Sequence, residues 1–258
     1  MSVTLEADAP LSEADFRQAL HALESSYWDR HPFHQRMHEG LLDKGELRLW
    51  AANRWYYQRC LPQKDAAIMA NCPLPEVRRQ WLSRIVYHDG MDASSGGAHK
   101  WLRLAEAVGL DKDEVLDERL VLPGTRFAVD AYVDFARRRP WLEAAASGLT
   151  ELFSPGLLAH RLGRLREHYP WIAEEGFEYF TARIEVVGPE GRSLLDLVAG
   201  HAVTRAQQEA CVRALAFKCQ VLNAVLVALF TRTSSRCSLL REAGRLVTVR
   251  ILLLVRER

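Results

Sequence analysis

The chain has 258 residues, 48% of them hydrophobic and 26% charged, with a formal net charge of +1. That is enough chain to bury a full core as one soluble globular domain, and too even a charge to leave a footprint for nucleic acid or an anionic membrane. At the N-terminus Glu6 and Asp8 replace the basic start of a secretion signal, and the longest apolar run near either end, Ile251 to Val255, is too short to span a bilayer. The five cysteines, Cys60, Cys72, Cys211, Cys219 and Cys237, form no Cys-x-x-Cys pattern. Reduced thiols and a cytoplasmic location are therefore expected.

In chain order, Ser12 and Asp15 predict a capped helix to about Leu23. The segment Tyr27 to Gly40 is dense in rings, and His34 and His38, four apart, make half of a metal site with no carboxylate or thiol at matching spacing. Asp43 with Glu46 caps a helix carrying Arg54, Tyr57 and Gln58 on one face, with a break or kink expected at Pro62 before Lys64 and Asp65. A solvated face with snorkelling aromatics is the plain alternative for that stretch. Glu76 to His88 reads as a helix burying Val77, Trp81, Leu82 and Ile85. It also carries the pair Arg84 and His88 ahead of a stop at Asp89-Gly90, where a histidine serves as either cap or catalyst. Further helices are expected over Ala98–Val108, with Gly109 as the stop, over Gly124–Arg138 after Pro123, and over Trp141–Phe153. A helix over Tyr169–Ile184 carries Tyr179 and Arg183, a turn follows at Gly188–Gly191, and Ser193–Ala199 is helical. Ala206 to Phe230 is a long closing helix whose isolated Lys218 either snorkels out or enters a polar pocket. Period-2 alternation is weak and confined to Leu246–Val255, so the fold class is all-α.

Polar pairs on separate helices carry the chemistry: Arg54 with Gln58, Arg84 with His88, Thr150 with Glu151, and Tyr179 with Arg183, joined by Arg161 and Lys218. Glu151, flanked by apolar residues, must be paired or have a raised pKa, and Arg161 is its candidate partner. A bundle brings facing positions of several helices around one cavity. Such a cavity suits a small polycarboxylate, with a histidine and tyrosines to move protons and cations to stabilise anions. No nucleotide loop, Ser-His-Asp order or zinc spacing competes.

These residues sit in blocks that resemble the pyrroloquinoline-quinone synthases. They are Ala52-Asn-Arg-Trp-Tyr-Tyr-Gln, Lys64-Asp-Ala-Ala-Ile-Met-Ala-Asn-Cys-Pro, His88-Asp-Gly, Trp101-Leu-Arg-Leu-Ala-Glu-Ala-Val-Gly-Leu, Leu122-Pro-Gly-Thr-Arg-Phe-Ala-Val-Asp-Ala-Tyr, Leu149-Thr-Glu-Leu-Phe and His168-Tyr-Pro-Trp-Ile. The resemblance spans roughly Tyr27 to Lys218. It implies a compact seven-helix bundle of haem-oxygenase-like type over residues 1–230, usually homodimeric. It also implies ring closure and eight-electron oxidation of a multiply carboxylated bicyclic precursor to pyrroloquinoline quinone. O2 is the oxidant and hydrogen peroxide is released, with no metal or organic cofactor. By the same resemblance His88 is the main proton-transfer residue, and Tyr179 and Arg183 help form the oxygen pocket. Arg54, Gln58, Lys64, Arg84, Thr150, Glu151, Arg161 and Lys218 hold the substrate's oxygens, with Tyr27 and Tyr132 at the edge and Tyr57 beside Arg54.

The chain departs from that pattern in three places. Trp28 and Leu158 stand where the family commonly has histidine, with His160 two positions past Leu158. The stretch Thr231 to Arg258, with seven Arg against two Glu, reads as a basic tail outside the resemblance. The alternatives are a di-iron oxidase, for which Trp81 stands where a Glu is needed, and a thiaminase-like hydrolase relying on Cys60 or Cys72. A non-catalytic quinone carrier and an oxidase of the superfamily with another substrate complete the set.

Overall fold

In the computed structural model, residues 9–92 and 94–256 are described, with side chains as far as Ser234. The acidic N-terminal positions Glu6 and Asp8, Cys237 and most of the basic tail's side chains lie outside that range. All described secondary structure is helical, and no strand occurs among the described residues. In order come α1 (Glu13–His21), α2 (Pro32–His38), α3 (Lys44–Asn71), α4 (Pro75–Asp89), α5 (Gly96–Ala107), α6 (Lys112–Leu116), α7 (Pro123–Arg138), α8 (Trp141–Ala146), α9 (Ser154–His168), α10 (Glu178–His201) and α11 (Arg205–Arg256). The expected count of seven is exceeded, because short helices and 3-10 turns flank the long ones.

Local chemistry sets most of the boundaries. Asp43 and Glu46 form a full capping box at the start of α3, and prolines at the first turn open α2, α4, α7 and α9. At two places where the sequence allows a break, the chain stays helical. Pro62 lies inside α3, which runs unbroken to Asn71, and the turn expected at Gly188–Gly191 is helical within α10. In both places burial against neighbouring helices outweighs local propensity. The helix expected over Trp141–Phe153 changes to a 3-10 helix at Ser147–Phe153 and passes directly into α9.

Helix α3 is the spine, packing against α4, α5, α7 and α8, while α11 closes the other side over α7, α8 and the 147–153 segment. A single core cluster runs through the molecule, including Trp50, Trp101, Phe177 and Leu226. Among the described residues, one stretch, Arg205–Ser234 of α11, is long and apolar enough to cross a membrane (mean hydropathy 1.8), but half of its most apolar window is buried inside the bundle. A core-facing helix has that character without a bilayer.

Candidate active site

On α4 the buried stripe is Val77, Trp81, Arg84 and His88. This three-and-four spacing places a guanidinium and an imidazole on the inner face. Leu82, expected to be buried, is 51% exposed, so the polar pair takes the inner face. Gly90, at φ +80°, stops the helix just beyond His88. From α10, Tyr179, Arg183 and Val187 point the same way; α11 contributes Lys218 and Leu222, and α9 contributes Ser154, Leu158 and Arg161. The 147–153 segment adds Gly148, Thr150 and Glu151. With Tyr27, Trp28, Arg54, Tyr57, Lys64, Asp65 and Tyr132 they line one cavity. It holds about 710 Å3 of atom-free space counted out to its mouth, open solvent included.

Most of the residues expected at a site therefore converge. Gln58 and Arg84 stand one layer back, where they hold residues that do line the cavity. Gln58 donates from Nε2 to the Tyr179 hydroxyl at 2.5 Å. Arg84 grips Glu151 with both Nη atoms at 2.7 Å. Arg183 reaches the same carboxylate at 3.1 Å and donates to Glu190 at 2.5 Å. The carboxylate's partners are thus Arg84 and Arg183, and the pairing with Arg161 expected from the sequence does not form. Burial pushes the Glu151 carboxyl up, but the two guanidiniums outweigh it and hold it at about 2. Lys64 pairs with Asp65 at 2.5 Å, and Asp65 also accepts from the Trp81 indole at 2.8 Å. Neither the bond from the Trp81 indole to Asp65 nor the pairing of Glu190 with Arg183 carries a signal at sequence level.

The site's cations thus fall into two groups. Lys64, Arg84 and Arg183 have carboxylate partners. Arg54, Arg161 and Lys218 have none among the described residues. Arg54 lies over the rings of Tyr57 (4.1 Å to the centroid) and Trp28 (4.8 Å), with Nη1 buried and unpartnered. Lys218, 1% exposed, donates to the Tyr57 hydroxyl at 2.5 Å and sits 3.5 Å above the Tyr132 ring. Burial, reinforced by Lys64 and Arg54, drives its pKa well below the ordinary lysine value. Arg161, 3% exposed, meets the His34 ring and lies 5.9 Å from the Trp28 ring centroid, with Nε unpartnered, and burial lowers it to about 10. Buried cations left unpaired by protein are costly unless a ligand completes them.

Proton-handling groups face the same space. Burial, helped by Arg183 and Lys64 and opposed in part by Asp65, holds His88 at about 3, so its imidazole is neutral and Nδ1 has no partner. The Tyr179 hydroxyl accepts from Gln58, which leaves its own proton free to donate. Tyr27 and Ser154 are bonded to each other at the rim, 2.9 Å apart. His160 faces away. It lines a separate surface cavity with His38, their rings 4.8 Å apart, and so does not take the place that Leu158 occupies.

Among the described residues no three His, Cys, Asp or Glu side chains are grouped to hold a metal ion. The four described cysteines are buried and none lines the cavity; burial raises the Cys60 and Cys219 thiols to about 11 and that of Cys211 to about 12. Among the described residues no thiolate nucleophile of the kind a thiaminase-like hydrolase requires is in place.

Comparison with known proteins gives this geometry its family. The model of the TENA/THI-4/PQQC family matches residues 17–228. A pyrroloquinoline-quinone synthase of Pseudomonas putida is 49% identical over 85% of this chain and 88% of its own. One from Ectopseudomonas mendocina is 48% identical over 86% and 89%, and one from Pseudomonas aeruginosa is 48% identical over 86% and 88%. Among solved structures, a haem-oxygenase-like domain from Shewanella denitrificans superposes with a TM-score of 0.71 at 13% identity, covering 87% of this chain and 94% of its own. A TenA homologue from Pseudomonas syringae gives 0.71 at 12%, covering 88% and 99%. At such identities these two establish the haem-oxygenase-like fold alone. The chain belongs to the TENA/THI-4/PQQC family, in the branch that contains the pyrroloquinoline-quinone synthases.

Proposed function

We propose that this protein is an oxidase of pyrroloquinoline-quinone synthesis. It closes a third ring on a multiply carboxylated bicyclic precursor and passes eight electrons from it to O2, releasing hydrogen peroxide. The observation that carries the reading is the surplus of cations: Arg54, Arg161 and Lys218 enter one cavity with no carboxylate partner among the described residues. A ligand bearing several carboxylates removes that surplus, and its affinity comes from completing charges the fold has already desolvated.

The remaining groups divide the chemistry. His88, neutral and with Nδ1 open, takes protons from the ring carbons as they are oxidised. Tyr179, its oxygen fixed by Gln58, returns a proton to reduced oxygen, and Arg183 lies near enough to stabilise negative charge developing there. Lys64, beside Asp65, and Thr150 fix the ligand's orientation. The mechanism requires no metal and no organic cofactor, because an electron-rich ring reduces O2 directly once the anions formed are stabilised. We place the protein in the cytoplasm and expect a homodimer, as the family resemblance implies.

The decisive experiment is anaerobic binding of the family's reduced bicyclic precursor, followed by admission of O2 while quinone absorbance and peroxide are recorded. Full conversion with peroxide release is expected. Tight binding with no oxidation points to the carrier reading and places the defect at Trp28 and Leu158. No binding shows that the cavity serves another polycarboxylate.

A further inference from the structure

Glu190 does not line the cavity, yet it holds a cationic side chain that does. Arg183 and Glu190 stand seven residues apart on α10, so two turns of continuous helix put them on one face. That register exists because α10 stays helical through Pro189. Arg183 Nη1 donates to Glu190 at 2.5 Å, Nη2 donates to Glu151 at 3.1 Å, and Cζ lies 4.9 Å from the centroid of the Tyr87 ring. Arg84 bonds both oxygens of the same Glu151. Two guanidiniums thus meet two carboxylates, and the ionised chain Arg84–Glu151–Arg183–Glu190 carries no net charge. Without Glu190, both arginines would share one carboxylate. Glu190 also opens outward. Its side chain is 24% exposed and lines a groove between α4 and α10 with Gln80, Ser83 and Leu197, whereas Arg183 lines the inner cavity.

We propose that Glu190 is a specificity-determining residue: by occupying Arg183 from the groove side it withholds that cation from the ligand. Among the described residues, the cavity then offers unpaired cationic side chains only at Arg54, Arg161 and Lys218. The number and places of such side chains decide which polycarboxylate fits, because a ligand carboxylate gains most from a desolvated cation that has no protein partner. Arg183 is kept for charge that develops during reaction. The same contact makes the cavity's charge respond to pH. Burial and the Glu151 carboxylate raise the Glu190 pKa above its ordinary 4.5, while Arg183 and Arg84 oppose them. The charged and titratable groups bearing on it are Arg183 on its own helix, Glu151 on the 147–153 segment, and Arg84 and Tyr87 on α4. Glu151, held at about 2, stays ionised while Glu190 titrates. Protonating Glu190 releases Arg183, so anion affinity gains as pH falls. The inference rests on the polycarboxylate reading given above.

The test is calorimetric titration of the full chain with citrate, as a generic polycarboxylate, and separately with pyrroloquinoline quinone. Native protein is compared with Glu190→Gln, which keeps the shape and an acceptor for Arg183 but removes the charge. At pH 7 the variant is expected to bind citrate roughly tenfold tighter than the native protein. In an Arg183→Gln background the same change is expected to move the affinity by less than about threefold. As pH is lowered to 4.5 the gap between native protein and Glu190→Gln is expected to close, because the native carboxylate takes up its proton. Equal or weaker citrate binding by the variant at pH 7 overturns the proposal, since loss of a merely structural contact does not tighten binding. A gain of full size without Arg183, or one that does not change with pH, overturns it also. Should Glu190→Gln fail to fold, Glu190→Ser makes the same comparison. If citrate gives the expected pattern while pyrroloquinoline quinone fails to bind the native protein, the role of Glu190 stands and the synthase reading falls. Failure of both ligands to bind the native protein overturns both.

Discussion

Lys218 shows what a single buried charge does to stability and to binding. An unfolded lysine keeps its proton up to about 10.5, whereas here burial and neighbouring cations depress the folded value. Between the two values the unfolded state binds more protons, so this residue makes stability rise with pH through that window. We predict that Lys218→Met is more stable than the native protein at pH 7, on the order of 1–4 kcal/mol, and that this advantage shrinks as pH approaches 10.5. Urea midpoints at several pH values measure it. A polyanion in the cavity favours the protonated amine, so ligand binding at a pH between the depressed folded value and 10.5 is expected to take up protons, and Lys218→Met to abolish the uptake. Calorimetry in two buffers of different ionisation enthalpy reads this directly. Glu151 gives the same pH slope in a lower window, but as a stabilising group. Its carboxyl is lowered from 4.5 to about 2, so its contribution is complete above 4.5 and is lost as pH falls towards 2. Glu151→Gln leaves Arg84 and Arg183 short of their shared partner and is expected to cost about 3–5 kcal/mol at neutral pH. Acid-unfolding curves that coincide for the two proteins would refute this.

At the scale of elements, the site depends on how closely α10 approaches the 147–153 segment. A Cβ on Gly191 would lie 3.1 Å from the Glu151 carbonyl carbon and the Leu152 nitrogen, and one on Gly148 would lie 3.0 Å from Leu194 Cδ2. The obstacle to a side chain on Gly191 is backbone, which yields little. Replacing glycine by alanine within a helix normally stabilises by roughly 0.5–1 kcal/mol. Gly191→Ala is instead expected to destabilise by about 1–3 kcal/mol through overpacking, and to lower turnover by moving Glu151 off Arg84 and Arg183. A shifted denaturant midpoint with unchanged m-value confirms the first part. Local signals made α3, α4 and α7 legible in the sequence, because the Asp43–Glu46 box and the first-turn prolines are short-range chemistry. The same reasoning failed at Gly188–Gly191. Two glycines and a proline read as a turn, but long-range packing of α10 decides the conformation. Site residues were found where they recur at helical spacing beside apolar neighbours. Their pairings were not, because Glu151 meets Arg84 and Arg183 across three separate elements that only the fold brings together.

For the whole molecule the question is where the functional unit ends. Along α11 the buried described positions include Lys218, Leu222, Leu226 and Leu229, then Thr233. The cavity takes its last lining residue, Leu222, well before that point. The family match stops at residue 228, although the helical backbone continues to Arg256. We therefore propose that residues up to about 230 fold and bind ligand as one unit and that the basic tail is separable from it. A chain ending after Ser234 retains the described core and every cavity-lining residue. It is expected to unfold within about 2 °C of the full protein, corresponding to less than about 1 kcal/mol, and to bind pyrroloquinoline quinone with the same affinity. Differential scanning calorimetry and equilibrium binding on both chains settle the boundary. A drop in Tm that depends on protein concentration would instead make the tail part of a subunit interface, since only association renders Tm concentration-dependent. A loss of ligand affinity at unchanged Tm would place the tail's arginines at the mouth of the cavity.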